Sequence, residues 1–172
     1  HDAPEKVVKF LREFHSRMET AVFNHHGTLD KFLGDGLMIT FGTPHTSPID
    51  AKNAVECAVS MQESIAAWNE TRAENGRKPV QLSIGMHYGE VILGDIGSER
   101  RLEYAVLGDV VNVSSRLEAL TRTVGASVVA SDAVIQAAGP AFSEAAGFKP
   151  LGAHDIRGRV EPVDIWTIAR NV

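Results

Sequence analysis

"KFLGDGLMITFG", residues 31–42, sets two apolar runs on either side of Gly34-Asp35-Gly36. Leu37, Ile39 and Phe41 fall on alternate positions, the period of a strand with one buried face, and Asp-Gly between two such runs is a strong local hairpin signal. The pattern predicts two short strands between Thr28 and Phe41, joined at Gly34-Asp35-Gly36. Taken as an isolated tripeptide the turn needs no ligand, because glycine and aspartate occupy turns for backbone reasons alone. What surrounds it decides whether the carboxylate at its tip does more.

Upstream, Asp2-Ala3-Pro4 reads as a helix start, and Val7, Phe10, Leu11, Phe14, Met18, Ala21 and Val22 follow at helical spacing until Gly27. Downstream, Ser47-Pro48-Ile49-Asp50 resembles a capped start with Pro in the first turn, and Ala54, Val55, Ala58, Met61, Ile65 and Trp68 continue an apolar stripe. "RAENGRKP", residues 72–79, is a polar loop, and Val80, Leu82, Ile84 and Met86 alternate as a strand. Further strands are expected in "EVILGDIG" and "RLEYAVLG", then a helix from near Asp109, a strand over 126–130 and a short helix from Ser131 to Ala138. The Ala/Gly-rich stretch 137–147 reads as a loop, and a strand pair at 148–157 and 162–169 closes the chain. Helices alternating with antiparallel hairpins predict an α+β fold with helices packed on one sheet face, not a doubly wound parallel sheet.

Length and composition narrow the class. At 172 residues, with 44% hydrophobic and 23% charged residues, the chain suits one globular domain with a single core, residues 1–172. Its 17 Lys and Arg against 22 Asp and Glu give a net charge of -5, so no global positive field is available for nucleic acid or an anionic membrane. A run of about 18 apolar residues would be needed to span a membrane, and none occurs. The lone Cys57 lies in a helical apolar pattern, where cysteine behaves as a small hydrophobe, and a reducing, cytoplasmic setting is expected.

The second informative stretch is "YAVLGDVVNVSSRLEAL", residues 104–120. Asp109 is placed at the N-cap, Asn112 in the first turn and Arg116 four residues on, so an amide and a guanidinium share one helix face. On spacing alone this is a capped helix with a solvated Arg. With it in view, the chain resembles the catalytic domain of the class III nucleotidyl cyclases, the adenylyl and guanylyl cyclase homology domain. The resemblance rests on "GTLDKFLGDGLMITFGTP" (27–44), "IGMHYGEVILGDIGSERRLEYAVLGDVVNVSSRLE" (84–118) and "IRGRVEPVDIW" (156–166), in the family's order and roughly its spacing. It covers almost the whole chain.

The resemblance implies a ferredoxin-like, polymerase-palm-like antiparallel sheet with helices packed on it. It assigns Asp35 as one of two aspartates that hold two catalytic divalent ions, Mg2+ or Mn2+, which prefer oxygen ligands. Lys31 corresponds to a purine-selecting lysine, whose ammonium suits adenine N1, an acceptor, and mismatches the guanine N1–H. Asn112 and Arg116 match the residues that position the ribose and neutralise charge on the α-phosphate, and Arg157 matches a basic residue that contacts the polyphosphate. The implied reaction converts ATP to 3′,5′-cyclic AMP and pyrophosphate, in sites between two head-to-tail subunits of a homodimer.

Two departures from the family pattern shape the expectations. The other metal aspartate of the family lies on a strand before the first helix, in Phe-x-Asp followed by Gly-Phe, whereas this sequence opens at the helix with His1. The domain is therefore expected to be N-terminally incomplete, without that strand and inactive as it stands, within a longer protein carrying regulatory domains, either free in the cytoplasm or as the cytoplasmic domain of a membrane-attached protein. Seven positions before Asn112, where the family has Asp, Thr or Ser in the purine site, stands Ala105, whose methyl accepts no hydrogen bond; looser base selectivity is expected. The rival expectations are a guanylyl cyclase, or a non-catalytic cyclase-like module that binds nucleotide or dimerises.

Other residues are read as structural. His15, His25, His26, His45, His87 and His154 lack the paired spacing of a zinc site. "GDIGSERR", residues 94–101, lacks the Gly-Lys-Ser/Thr ending of a phosphate loop and reads as a hairpin turn near the dimer edge. Met61 and Trp68 fit core packing.

Overall fold

The structure is a computed structural model and describes residues 3–100 and 104–170. The chain divides into two compact units, His1–Gln81 and Leu82–Val172. The predicted helix start at Asp2 and the first residues of "RLEYAVLG" lie outside the described residues.

In the first unit, α1 (Pro4–Asn24) opens with Pro4, which lacks only an N–H that the first turn leaves unpaired anyway, and with Glu5 near the positive end of the helix dipole. Phe14, Met18, Ala21 and Val22 form its buried stripe. The helix ends as the amides of His25 and Gly27 both reach the Val22 carbonyl, at 3.2 and 3.0 Å. The chain then enters the antiparallel pair β1 (Thr28–Leu33) and β2 (Gly36–Thr40). The ring of Phe41 packs against Gly27, where an added Cβ would stand 2.9 Å from Cε1.

The second helix, α2 (Asp50–Glu74), buries Ala51, Val55, Cys57, Ala58, Met61, Ile65 and Trp68. It starts beyond Pro48, which lies in the preceding turn and not in the first helical turn as the sequence suggested. Nor does Ser47 cap the helix: Ile49 holds the N-cap position and offers no side-chain bond, while Ser47 Oγ accepts from the Ile49 amide at 3.3 Å and the Asp50 carboxylate accepts from the Ser47 amide at 2.6 Å, closing the turn ahead of the helix. Between α1 and α2 the rings of Phe10 and Trp68 stack at 5.3 Å, and the guanidiniums of Arg17 and Arg72 each lie 5.3 Å from the centre of a Trp68 ring. Burial pushes the Cys57 thiol up to about 11, so it stays protonated and behaves as packing.

The strand expected from Val80 begins only at Ile84. Val80 donates its N–H to Asn69 Oδ1 at 2.7 Å and accepts from Asn69 Nδ2 at 2.9 Å, so a side-chain amide from α2 takes both groups that a ladder would have used.

The second unit contains β3 (Ile84–Met86), β4 (Ile92–Asp95), β5 (Tyr104–Leu107), α3 (Asp109–Val124), β6 (Ala126–Ser131), α4 (Asp132–Ala138), α5 (Pro140–Ala145), β7 (Lys149–His154) and β8 (Val163–Ala169). Four of these strands form a sheet in the order β3-β6-β8-β7, with β3 parallel to β6 and the other pairs antiparallel; β4 and β5 make a separate antiparallel hairpin. All six residues of β6 are buried, which explains why "ASVVAS" shows no polar alternation: a central strand covered on both faces has no solvent side. The core joins Val113 and Leu117 of α3 to Ala126, Val129, Ile165 and Ile156. Gly85 lets α3 lie close on β3, since a Cβ there would stand 2.8 Å from the Glu118 Cα and closer still to the Ser114 carbonyl.

The stretch 137–147, expected to be a loop, holds α5. Its alanines are good helix formers once Pro140 takes the first position, and the Ser143 amide and hydroxyl both donate to the Gly139 carbonyl at 2.9 Å. No helix among the described residues is long and apolar enough to cross a membrane.

Candidate active site

The hairpin turn consists of Gly34 and Asp35, with Leu33 paired to Gly36. Gly34 carries φ +65° while Asp35 has an ordinary negative φ, the arrangement of a type II′ turn, which asks for glycine at its first central position. The turn-forming pair is thus Gly-Asp, not the Asp-Gly of the initial reading, and Gly36 already belongs to β2. Asp35 is exposed at the tip and makes no hydrogen bond or ion pair with any described residue. Lys31 lies opposite Met38 and sits 3.6 Å from the carboxylate of Asp30, the residue at the bulge in β1. Such a half-exposed pair holds a lysine only weakly.

At the start of α3 the structure corrects the reading of Asp109 as N-cap. Gly108 occupies that position, its carbonyl accepting from the Val111 amide at 3.2 Å, and Asp109 is the first helical residue. Its carboxylate is taken instead by Arg159 Nη1 at 2.5 Å, across a span of fifty residues. One turn on, the exposed amide of Asn112 has no partner among the described residues. Four residues further, Arg116 Nη1 donates to the backbone carbonyl of Arg157. The Arg157 side chain is exposed.

Within the second unit, then, the structure brings Asn112, Arg116 and Arg157 to one face of α3 and adds Asp109 and Arg159 to them. Lys31 and Asp35 share the hairpin of the first unit. Ala105, on β5 opposite Gly94, is 7% exposed, so its methyl is largely covered within this chain. Arg159 escaped the sequence reading, although "IRGR" held a signal: two arginines flanking a glycine just before a strand.

His87 adjoins this cluster. Its Nδ1 lies 2.6 Å from the hydroxyl of buried Ser131. Burial chiefly, and then the Arg159 charge, push its pKa below the usual histidine range, while Asp109 opposes the shift.

No three His, Cys, Asp or Glu side chains among the described residues converge as a ready metal cage. Asp35 by itself offers an unpaired, exposed carboxylate, the donor type that Mg2+ or Mn2+ accepts when phosphate oxygens complete the shell, so its chemistry fits a shared, substrate-completed ion.

Residues 1–169 match the profile of the adenylate and guanylate cyclase catalytic domain. The chain belongs to that family. The cyclase domain is 32% identical over 166 residues to adenylate cyclase 1 of Rhizobium meliloti and 30% identical over 137 residues to an adenylate cyclase of Anabaena cylindrica. These alignments cover 96% and 77% of this chain but 24% and 26% of those proteins, so the chain spans about a quarter of the length of the curated relatives it matches. Among solved structures, the guanylyl cyclase Cya2 is 34% identical and superposes with a TM-score of 0.81 over 97% of this chain and 82% of Cya2. The adenylyl cyclase CyaB from P. aeruginosa, at 22% identity, covers all of this chain and 86% of its own with a TM-score of 0.83, which speaks to fold alone. The α+β class expected of a cyclase domain therefore holds, with a mixed sheet in place of a wholly antiparallel one.

Proposed function

We propose that residues 1–172 belong to one adenylyl cyclase catalytic domain, which with its natural flanking sequence converts ATP to 3′,5′-cyclic AMP and pyrophosphate in a head-to-tail homodimer. The observation that carries this reading is the face of α3 on which Asn112 stands exposed and the Arg116 guanidinium meets the Arg157 backbone.

In the reaction the ribose 3′-oxygen bonds to the α-phosphorus, the bond from that phosphorus to the β-phosphate oxygen breaks, and the 3′-hydroxyl proton passes to solvent. Arg116 is read as the group that meets negative charge on the α-phosphate oxygens as it grows, with several N–H donors still free after one is spent on the Arg157 carbonyl. Asn112 orients the ribose, Arg157 contacts the polyphosphate, and Lys31 donates to adenine N1. Two divalent ions, Mg2+ or Mn2+, held in part by Asp35, would acidify the 3′-hydroxyl and offset charge on the phosphates. The adenylate cyclases of R. meliloti and A. cylindrica support the choice of ATP.

A second reading, guanylyl cyclase, is supported by the 34% identity to Cya2; Ala105, whose methyl accepts nothing from the adenine amino group, loosens base choice, while Lys31 weighs against guanine. The test is product identification by mass spectrometry with equal ATP and GTP and Mn2+, using the domain produced with its natural flanking sequence. Cyclic AMP in excess supports the adenylyl reading, and excess cyclic GMP transfers the assignment to the second. No cyclic product at any protein concentration, with nucleotide binding intact, makes the domain a cyclase-like binding module.

A further inference from the structure

The segment joining β7 to β8, residues 155–162, lies along the stripe of α3 that carries Asn112 and Arg116. It is pinned there at three points. Ile156 is buried in the core beside Val113 and Leu117. The Arg157 carbonyl accepts from Arg116. Arg159, whose amide turns back on the Ile156 carbonyl at 3.0 Å, pairs with Asp109 at 2.5 Å. Asp109 and Arg116 are seven residues apart, two helical turns, so both anchors fall on the same face with Asn112 between them.

Gly158 sits in the middle of this clasp. Its φ of +85° is left-handed, where a side chain is strained, and a Cβ there would stand 2.5 Å from Arg116 Nη1, 3.2 Å from Cζ and 3.3 Å from Nη2. The guanidinium therefore packs against bare backbone in the space that any other residue would fill. Because the obstructed atoms are the far end of a flexible side chain, a methyl at 158 would move Arg116 and leave the fold in place.

We propose that Gly158 and the Asp109–Arg159 ion pair are positioning residues for Arg116. They hold the β7–β8 segment so that its backbone selects one rotamer of the arginine before substrate arrives. An unrestrained arginine samples many rotamers, and ordering it at the moment of reaction raises the barrier; a carbonyl already in place removes that step. The ion pair is half-exposed and contributes through geometry, by fixing the carbonyl two residues before Arg159, more than through stability. The proposal rests on the reading of Arg116 as the residue that meets the α-phosphate.

The experiment compares Arg116→Ala, Gly158→Ala, Arg159→Ala and Arg159→Lys in the domain with its natural flanking sequence, measuring kcat and KM for the nucleotide it turns over. Arg116→Ala is expected to lower kcat about a hundredfold or more, the usual cost of removing one transition-state donor. Gly158→Ala and Arg159→Ala are expected to lower kcat about tenfold with KM held within about twofold, since only an interaction made at the transition state is disturbed. Arg159→Lys, which keeps the charge opposite Asp109, should recover most of the loss. If Arg116→Ala is crippled while Gly158→Ala and Arg159→Ala keep wild-type kcat, or if Arg159→Lys is as impaired as Arg159→Ala, the positioning role is overturned and the role of Arg116 stands. If Arg116→Ala itself keeps its turnover, both fall. Thermal melts accompany each variant, and the Arg159 pair decides the matter should Gly158→Ala not fold.

Discussion

Asn112 and Arg116 differ from most exposed polar residues in one respect: neighbouring structure is arranged around them. Asn112 stands unpaired between two anchored positions, and Arg116 is held by a backbone carbonyl. If both act on charge that develops only during phosphoryl transfer, Asn112→Ala should lower kcat, and like Arg116→Ala by about 10²- to 10³-fold, with little change in KM. A loss confined to KM, read from steady-state kinetics, would count against those roles. His87 offers a pH test at the same scale. Because burial and Arg159 lower its pKa, the unfolded chain takes up a proton that the folded chain resists. The stability tied to neutral His87 is full above its ordinary value of 6.5 and is lost as pH falls from there through the lower folded value. Melting temperatures of wild type and His87→Gln between about pH 5 and 8 should diverge in slope on the acid side, the wild type falling faster. Parallel curves would mean that His87 does not report the cluster.

At the scale of elements, the β3–α3 contact depends on one missing side chain. Gly85→Ala would drive a methyl into the backbone of Ser114 and Glu118, which cannot swing aside, and overpacking of this kind costs about 1–3 kcal/mol or more. Gly125, the left-handed C-cap of α3 at φ +69°, has open space around it, so Gly125→Ala should cost about 1 kcal/mol of backbone strain alone. Urea titrations of the two variants check the ordering; equal midpoints would mean that β3 can shift off α3. The same contact bears on the site, because α3 carries Asn112 and Arg116 and its seat on the sheet sets where they point.

At the scale of the whole molecule, a head-to-tail homodimer makes a prediction that no single-chain site shares. If Asp35 serves one site and Arg116 of the other subunit completes it, Asp35→Asn and Arg116→Ala are each inactive, yet a mixed dimer keeps one intact site. An equimolar mixture should recover about a quarter of wild-type turnover, since half the dimers are mixed and each has one of two sites. Dilution should reduce turnover per chain as dimers dissociate. No recovery on mixing, with exchange of subunits verified by mass spectrometry, would place Asp35 and Arg116 in a site made by one chain.

Local pattern alone was enough to find the hairpin at Gly34-Asp35, the stripes of α1 and α2, and the i, i+4 placement of Asn112 and Arg116, because each follows from a period or a turn preference within a few residues. It also yielded the residues on which the family resemblance rests. What it could not yield were features fixed by partners distant in the chain. Asp109 looked like a cap until Arg159 claimed its carboxylate from fifty residues away. Val80 looked like strand until Asn69 took its hydrogen bonds, and the alanine-rich stretch 137–147 looked soft although it holds α5, an otherwise mostly exposed helix seated by the buried Ser143. The hold of the β7–β8 segment on Arg116 belongs with these: the arginines of "IRGR" hint at an anion site, but Gly158 between them acquires its role only when folding lays its bare backbone against a guanidinium from another element.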